Sequence, residues 1–210
     1  DLSLRGLGRL VAEFLEALDL DQATLCFNDW NAAPTMAADG LLDRVGRLVI
    51  TDCEAFENYP PGLPGRMAAL SVRMPGGLRM MRRTLMLRPL RQSPLVFGRM
   101  SKRTIPDAQF RVWADPLARA EIRRDLRKYA GDTRRGRRDI LAGTEALRSF
   151  TRPVLVAWSP DDQVMPIAHA HRFAELFPDC RLVEIPGAYV LLLYDQPAAL
   201  SAQLREFIAS

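Results

Sequence analysis

The stretch Asp21-Gln22-Ala23-Thr24-Leu25-Cys26-Phe27-Asn28-Asp29-Trp30-Asn31-Ala32-Ala33 decides the fold. Its short apolar run, Thr24 to Phe27, reads as a strand that breaks into polar residues and then into small ones. Just before it, residues 4–19 place Leu7, Leu10, Val11, Phe14, Leu15 and Leu18 on one stripe at helical spacing. Just after it, Arg47 to Asp52 is a second apolar run, and Pro153 to Trp158 and Arg181 to Ile185 are two more. Near-continuous apolar character, without strict alternation, is what strands covered on both faces of a parallel sheet require. Further helical patterns run over residues 167–177 and 198–208. Strand and helix alternate, so the expected class is α/β: a mostly parallel sheet flanked by helices, with right-handed crossovers.

The connection from about Glu54 to Ser149 breaks this rhythm. It is too long for an ordinary crossover and carries Pro60, Pro61, Pro64, Pro75, Pro89, Pro94, Pro106 and Pro116 between Met- and Arg-rich helical stretches. The expectation is a core of residues 1–54 and 150–210 with residues 55–149 as an inserted helical cap. Met74, Met80, Met81 and Met86 read as core packing, with an adaptable apolar pocket as the other reading.

Composition excludes several classes. The chain has 210 residues, 48% of them hydrophobic, enough for a sizeable core. No apolar run is long enough to span a bilayer and no signal-peptide pattern opens the chain, so a cytoplasmic location and no membrane partner are expected. Cys26, Cys53 and Cys180 lack paired spacing and are expected as buried thiols. The net charge of +4 comes almost wholly from arginine, clustered at Arg79, Arg82, Arg83, Arg88 and Arg91 and again at Arg134, Arg135, Arg137 and Arg138. Without interleaved aromatics or a recognisable binding motif these are solvated helix faces, and no nucleic-acid partner is expected. No ligand-spaced cluster or glycine-rich phosphate loop is present, so neither a metal nor an organic cofactor is expected.

Taken in order, Leu18 to Ala33, Arg44 to Asp52, Pro153 to Asp162 and Arg181 to Val190 resemble α/β-hydrolases, in the branch with an aspartate nucleophile that includes haloalkane dehalogenases and epoxide hydrolases. The resemblance covers essentially the whole chain and implies Asp29 as nucleophile and Asp162 as the acid of the triad. It implies a substrate-binding role for Trp30, beside the nucleophile, and for Trp113 in the cap. Tyr59, Tyr129, Tyr189 and Tyr194 are candidates for phenols that activate an epoxide oxygen. The family's early strands precede the residues present, so the strand ending near Phe27 would be an open edge, covered by a further N-terminal segment or in a homo-oligomer.

Two departures stand out. The nucleophile bend normally has small residues two before and two after it, and here these are Phe27 and Asn31. More consequentially, the position of the catalytic histidine holds Val190, and the chain's two histidines, His169 and His171, fall on the helix after the acid, where exposed side chains are expected. An aspartate needs no base to attack, so ester formation with a small apolar epoxide, haloalkane or ester would survive while its hydrolysis would not. The implied protein is an impaired hydrolase; the alternatives are a non-catalytic pocket-binding or structural descendant, and a fragment completed by another chain.

Overall fold

In a computed structural model describing residues 1–209, the four apolar runs form β1 (Ala23–Asp29), β2 (Val45–Cys53), β3 (Val154–Trp158) and β4 (Cys180–Glu184). They pair in sequence order, every pair parallel. Helices α1 (Leu4–Ala17) and α2 (Ala33–Ala38) flank β1 in sequence. Between β2 and β3 lie α3 (Gly62–Arg73), α4 (Gly77–Met86), α5 (Arg88–Arg91), α6 (Asp107–Ala114), α7 (Ala120–Ala130) and α8 (Thr133–Ala146). Then α9 (Ile167–Leu176) joins β3 to β4, and α10 (Leu192–Asp195) and α11 (Pro197–Ala209) close the chain.

Both faces of the central strands are buried, which is why their sequences are apolar without alternation. Leu48 and Ile50 of β2 with Val154, Val156 and Trp158 of β3 point to one side, where they meet Leu15 of α1 and Phe173 of α9. The alternate residues Val49, Leu155 and Ala157 point to the other, against Leu192, Leu200 and Phe207 of α10 and α11.

At β1 the cover is incomplete, and this corrects two expectations. Leu25 and Phe27 pack into the first core, but Cys26 is exposed and Cys180 half-buried, leaving Cys53 as the only buried thiol. The helices on the second face cover β2, β3 and β4, so the side of β1 that carries Cys26 lies open. The stripe on α1 also forms as a helix, but only its Leu15 enters the sheet core: Leu10, Phe14 and Leu18 are exposed. Leu7, Leu10, Val11 and Phe14 line a groove of about 400 Å³ with Phe27 and Trp30, because the opposite side of α1, at Gly8, packs against Thr35 and Met36 of α2.

The far end of the long connection returns to the sheet. Helix α8 crosses α2 so closely that a Cβ on Gly143 would lie 2.1 Å from the Pro34 carbonyl oxygen, and Leu147 and Phe150 enter the sheet core.

Candidate active site

The site forms where β1 and β2 end together. Asp29 is opposite Cys53 in register, with an irregularity between Phe27 and Asp29 that swings the last residue of β1 out of the ladder. Asp29 has φ +59°, a left-handed backbone that costs a non-glycine residue roughly 1–3 kcal/mol. The bend is closed by the Trp30 N–H donating to the Asn28 carbonyl at 2.7 Å, and α2 starts four residues after Asp29.

Neighbouring side chains over-determine this conformation. The Asn28 amide donates to Thr51 Oγ1 at 2.9 Å and to the Val190 carbonyl at 2.8 Å, tying β1 to β2 and to the loop after β4. Asn31 is fully buried; its Oδ1 accepts from the Ala33 N–H at 2.9 Å and its amide faces Cys53 Sγ. A small residue is therefore not needed two positions after Asp29, because the Asn side chain satisfies the helix start. Two positions before it, the Phe27 ring is taken up by the α1 groove, so the bend is retained rather than relaxed.

Four carboxyl groups converge on this bend. Asp29 is half-buried; burial, and secondarily the charge of Asp162, raise its pKa to about 6. Asp52 is fully buried, with Oδ1 accepting the Ser159 N–H at 3.0 Å; burial and then Asp162 push its pKa well up, so this pair shares a proton. Asp162 accepts the Val164 and Met165 N–H groups on Oδ1, at 2.6 and 2.9 Å, and burial raises it as well. Glu54 is buried, and its pKa is pushed well up, first by burial and then by Asp29.

Among the described residues no Lys, Arg or His side chain pairs with any of the four; Glu54 Oε2 has no hydrogen-bond partner, and beyond the backbone N–H groups they accept, Asp52 and Asp162 have only each other's carboxyl. Asp195 shows what a structural buried carboxylate looks like here. It accepts from Ser101 Oγ and the N–H groups of Lys102, Arg103 and Tyr189, all within 3.0 Å. The four at the bend are kept short of donors, the condition that leaves a carboxylate reactive or protonatable.

No protein-family model matches the chain, and neither does any curated protein sequence. Solved structures do match. The haloalkane dehalogenase DbeA from Bradyrhizobium elkani is 19% identical, with a TM-score of 0.74 over 99% of this chain and 74% of its own. A serine hydrolase, CCSP0084 from Cycloclasticus zankles, is 13% identical, with a TM-score of 0.70 over 99% of this chain and 72% of its own. The chain has the α/β-hydrolase fold.

In an α/β-hydrolase fold, as in other open parallel sheets, ligands bind outside the carboxyl ends of the strands, which is where Asp29, Asp52, Glu54 and Asp162 gather. Of the residues singled out in the sequence, Asp29 and Asp162 are brought within each other's field. The Val190 backbone reaches the same place through Asn28, and its side chain is fully buried in the sheet core. Trp30 turns toward the groove, stacking on Tyr129 with ring centroids 4.1 Å apart. The phenol of Tyr129 is buried and raised by desolvation, then by Glu54, so of the four tyrosines Tyr129 and Tyr59 flank the carboxyl cluster. Tyr189 bonds Gln163, and Tyr194 packs with the α6 aromatics. Trp113 has Phe97 and Phe110 as its ring contacts and is not part of the bend.

His169 corrects an expectation. It is buried, 5.5 Å from the Phe56 ring, and burial lowers its pKa; only His171 is exposed, 3.5 Å from Glu184. Reading by periodicity missed this because Phe56, which belongs to the connection after β2, folds back over α9. Asp52 and Glu54 were also missed. Their signal was an acidic residue inside and another just beyond an apolar strand, at the strand end where open α/β sheets bind ligands.

Proposed function

We propose that this protein carries out nucleophilic chemistry through Asp29 on a small apolar electrophile of the epoxide, haloalkane or ester class, and that its turnover is impaired by Val190. The observation that supports this reading is the placement of Asp29: a carboxylate at φ +59° on a strand-ending bend, in the field of Asp162 and with no cation beside it. A carboxylate oxygen attacks the carbon that bears the halide, the new C–O bond forms as the carbon–halogen bond breaks, and halide leaves with the electron pair. Asp29, with its pKa near 6, is mostly ionised at neutral pH and needs no base for this step.

Hydrolysis of the resulting ester needs a deprotonated water. Val190 cannot supply a base, and the bend holds only carboxyls, of which Asp52 and Glu54 are both pushed well up in pKa by burial. The reading is therefore a hydrolase-type scaffold that traps its substrate once. Intact mass spectrometry after exposure to a small alkyl bromide tests it. The expected result is a single alkyl adduct on the wild type that persists and is absent from Asp29→Asn. An unmodified mass for the wild type across a panel of bromides and epoxides would favour the second reading, a pocket-binding protein without catalysis, to which the aliphatic Val190 also points.

A further inference from the structure

Between Glu57 and Asp107 the chain has ten Lys and Arg residues and no Asp or Glu. A molecule of net charge +4 thus consists of one stretch at +10 and a remainder at −6. In the fold this stretch forms α3, α4, α5 and the loop that follows them. Arg82 pairs with Asp115, Arg91 with Asp107 and Lys102 with Asp161, while the exposed Arg66, Arg79, Arg83 and Arg88 have no carboxylate partner among the described residues.

The same helices expose apolar side chains. On α3, Ala69 and Val72 face inward, while Leu63, Met67, Leu70 and Met74, at helical spacing, form a second apolar stripe on the solvent side. Met80 on α4 is 60% exposed, and Leu87 and Leu90 around α5 are exposed too. This corrects the reading of Met74 and Met80 as core or pocket residues: both face solvent, and only Met81 and Met86 pack inward.

We infer that the α3–α5 face docks on the surface of an anionic phospholipid bilayer, with the leucines and methionines entering the headgroup boundary and the arginines meeting lipid phosphates. Apolar side chains interleaved with unpaired cations are what interfacial binding requires, and both terms act together there. No helix among the described residues is long and apolar enough to cross a membrane, so the contact is peripheral. The expectation of no membrane partner rested on the absence of a span and does not bear on a surface of this kind. A nucleic acid would offer the same phosphates, but a single strand calls for aromatic stacking platforms, and the stretch holds only Tyr59, which is buried, and Phe97, which packs inward, while a duplex held by its phosphates leaves the exposed leucines and methionines without a partner.

Flotation of the full chain with vesicles tests the inference. The wild type is expected to float with vesicles of phosphatidylglycerol mixed with phosphatidylcholine and not with phosphatidylcholine alone, and to be released by salt. At about one kilocalorie per arginine near an anionic surface, Arg79→Gln with Arg83→Gln should weaken binding roughly thirtyfold. Leu70→Ser with Met74→Ser, which leaves the charge unchanged, should weaken it several-fold. Both pairs are exposed, and circular dichroism establishes that each variant is folded. The inference is overturned if the wild type ignores anionic vesicles, if the Leu70/Met74 variant binds as the wild type does, or if duplex DNA binds more tightly than vesicles do. Sedimentation showing that the wild type self-associates while the Leu70/Met74 variant stays monomeric would overturn it equally, by assigning the stripe to a second copy.

Discussion

Glu54 donates its backbone N–H to the carbonyl of Asp29 at 2.9 Å, and the pKa of its own carboxyl is pushed well up by burial and then by the charge of Asp29. One residue thereby fixes the backbone of the bend and adds to the acid density around it. Charge, more than shape, sets the behaviour of the site, because burial raises all four carboxyls and neighbouring carboxylates raise Asp29, Asp52 and Glu54 further.

Stability should therefore fall as pH rises. The folded pKa of Asp29 is raised from 3.8 to about 6, so the folded state holds this proton more tightly than the unfolded chain. Its stabilising effect is complete below about pH 4 and lost as pH passes through about 6; at 1.36 kcal/mol per pH unit, that is roughly 3 kcal/mol. Asp52, raised further, extends the loss to higher pH. Denaturant titrations from about pH 5 to about pH 8 should show decreasing stability, with a shallower slope in Asp52→Asn, whose Oδ1 still accepts from Ser159. A rise in stability across that window would refute this charge state.

The Asn28 amide holds the bend to β2 and to residue 190. In Asn28→Leu, the Val190 carbonyl and Thr51 Oγ1 lose a donor in a partly buried setting, at a cost of about 1–3 kcal/mol. Thermal unfolding should show the loss, and the alkylation rate at Asp29 should drop further than stability alone explains, since the bend is no longer tied down. Unchanged alkylation in a destabilised variant would show that the amide serves packing only.

If residue 190 occupies the place of the missing base, Val190→His should restore the second half of the reaction. The imidazole would find the Asp162 carboxyl as its acceptor, in competition with Asp52. Val190 is fully buried, so overpacking should cost about 1–3 kcal/mol. The expected result is an adduct that forms and then disappears with turnover. A folded variant whose adduct persists would place the base position elsewhere.

The sequence located all four strands to within two residues at each end, since a run such as Val154 to Trp158, apolar at every position, suits little but a strand covered on both faces. The helices at residues 4–17, 167–176 and 197–209 were equally legible from their spacing. Asp29 and Asp162 could be picked out only through the resemblance of Leu18 to Ala33 and Pro153 to Asp162 to α/β-hydrolases.

Which side of each element is covered could not be read in this way, because periodicity marks an apolar face without saying what lies against it. Most of the stripe on α1 faces a groove, Met74 and Met80 read as core or pocket yet face solvent, and His169, on a helix expected to expose it, is buried under Phe56. The charge state of the site was likewise invisible, because Asp52 and Glu54 shift only when the ends of β1, β2 and β3 converge and water is excluded. Local sequence determined the elements and the carboxylate on the bend; three-dimensional packing decided the neighbours, and with them the chemistry available to Asp29.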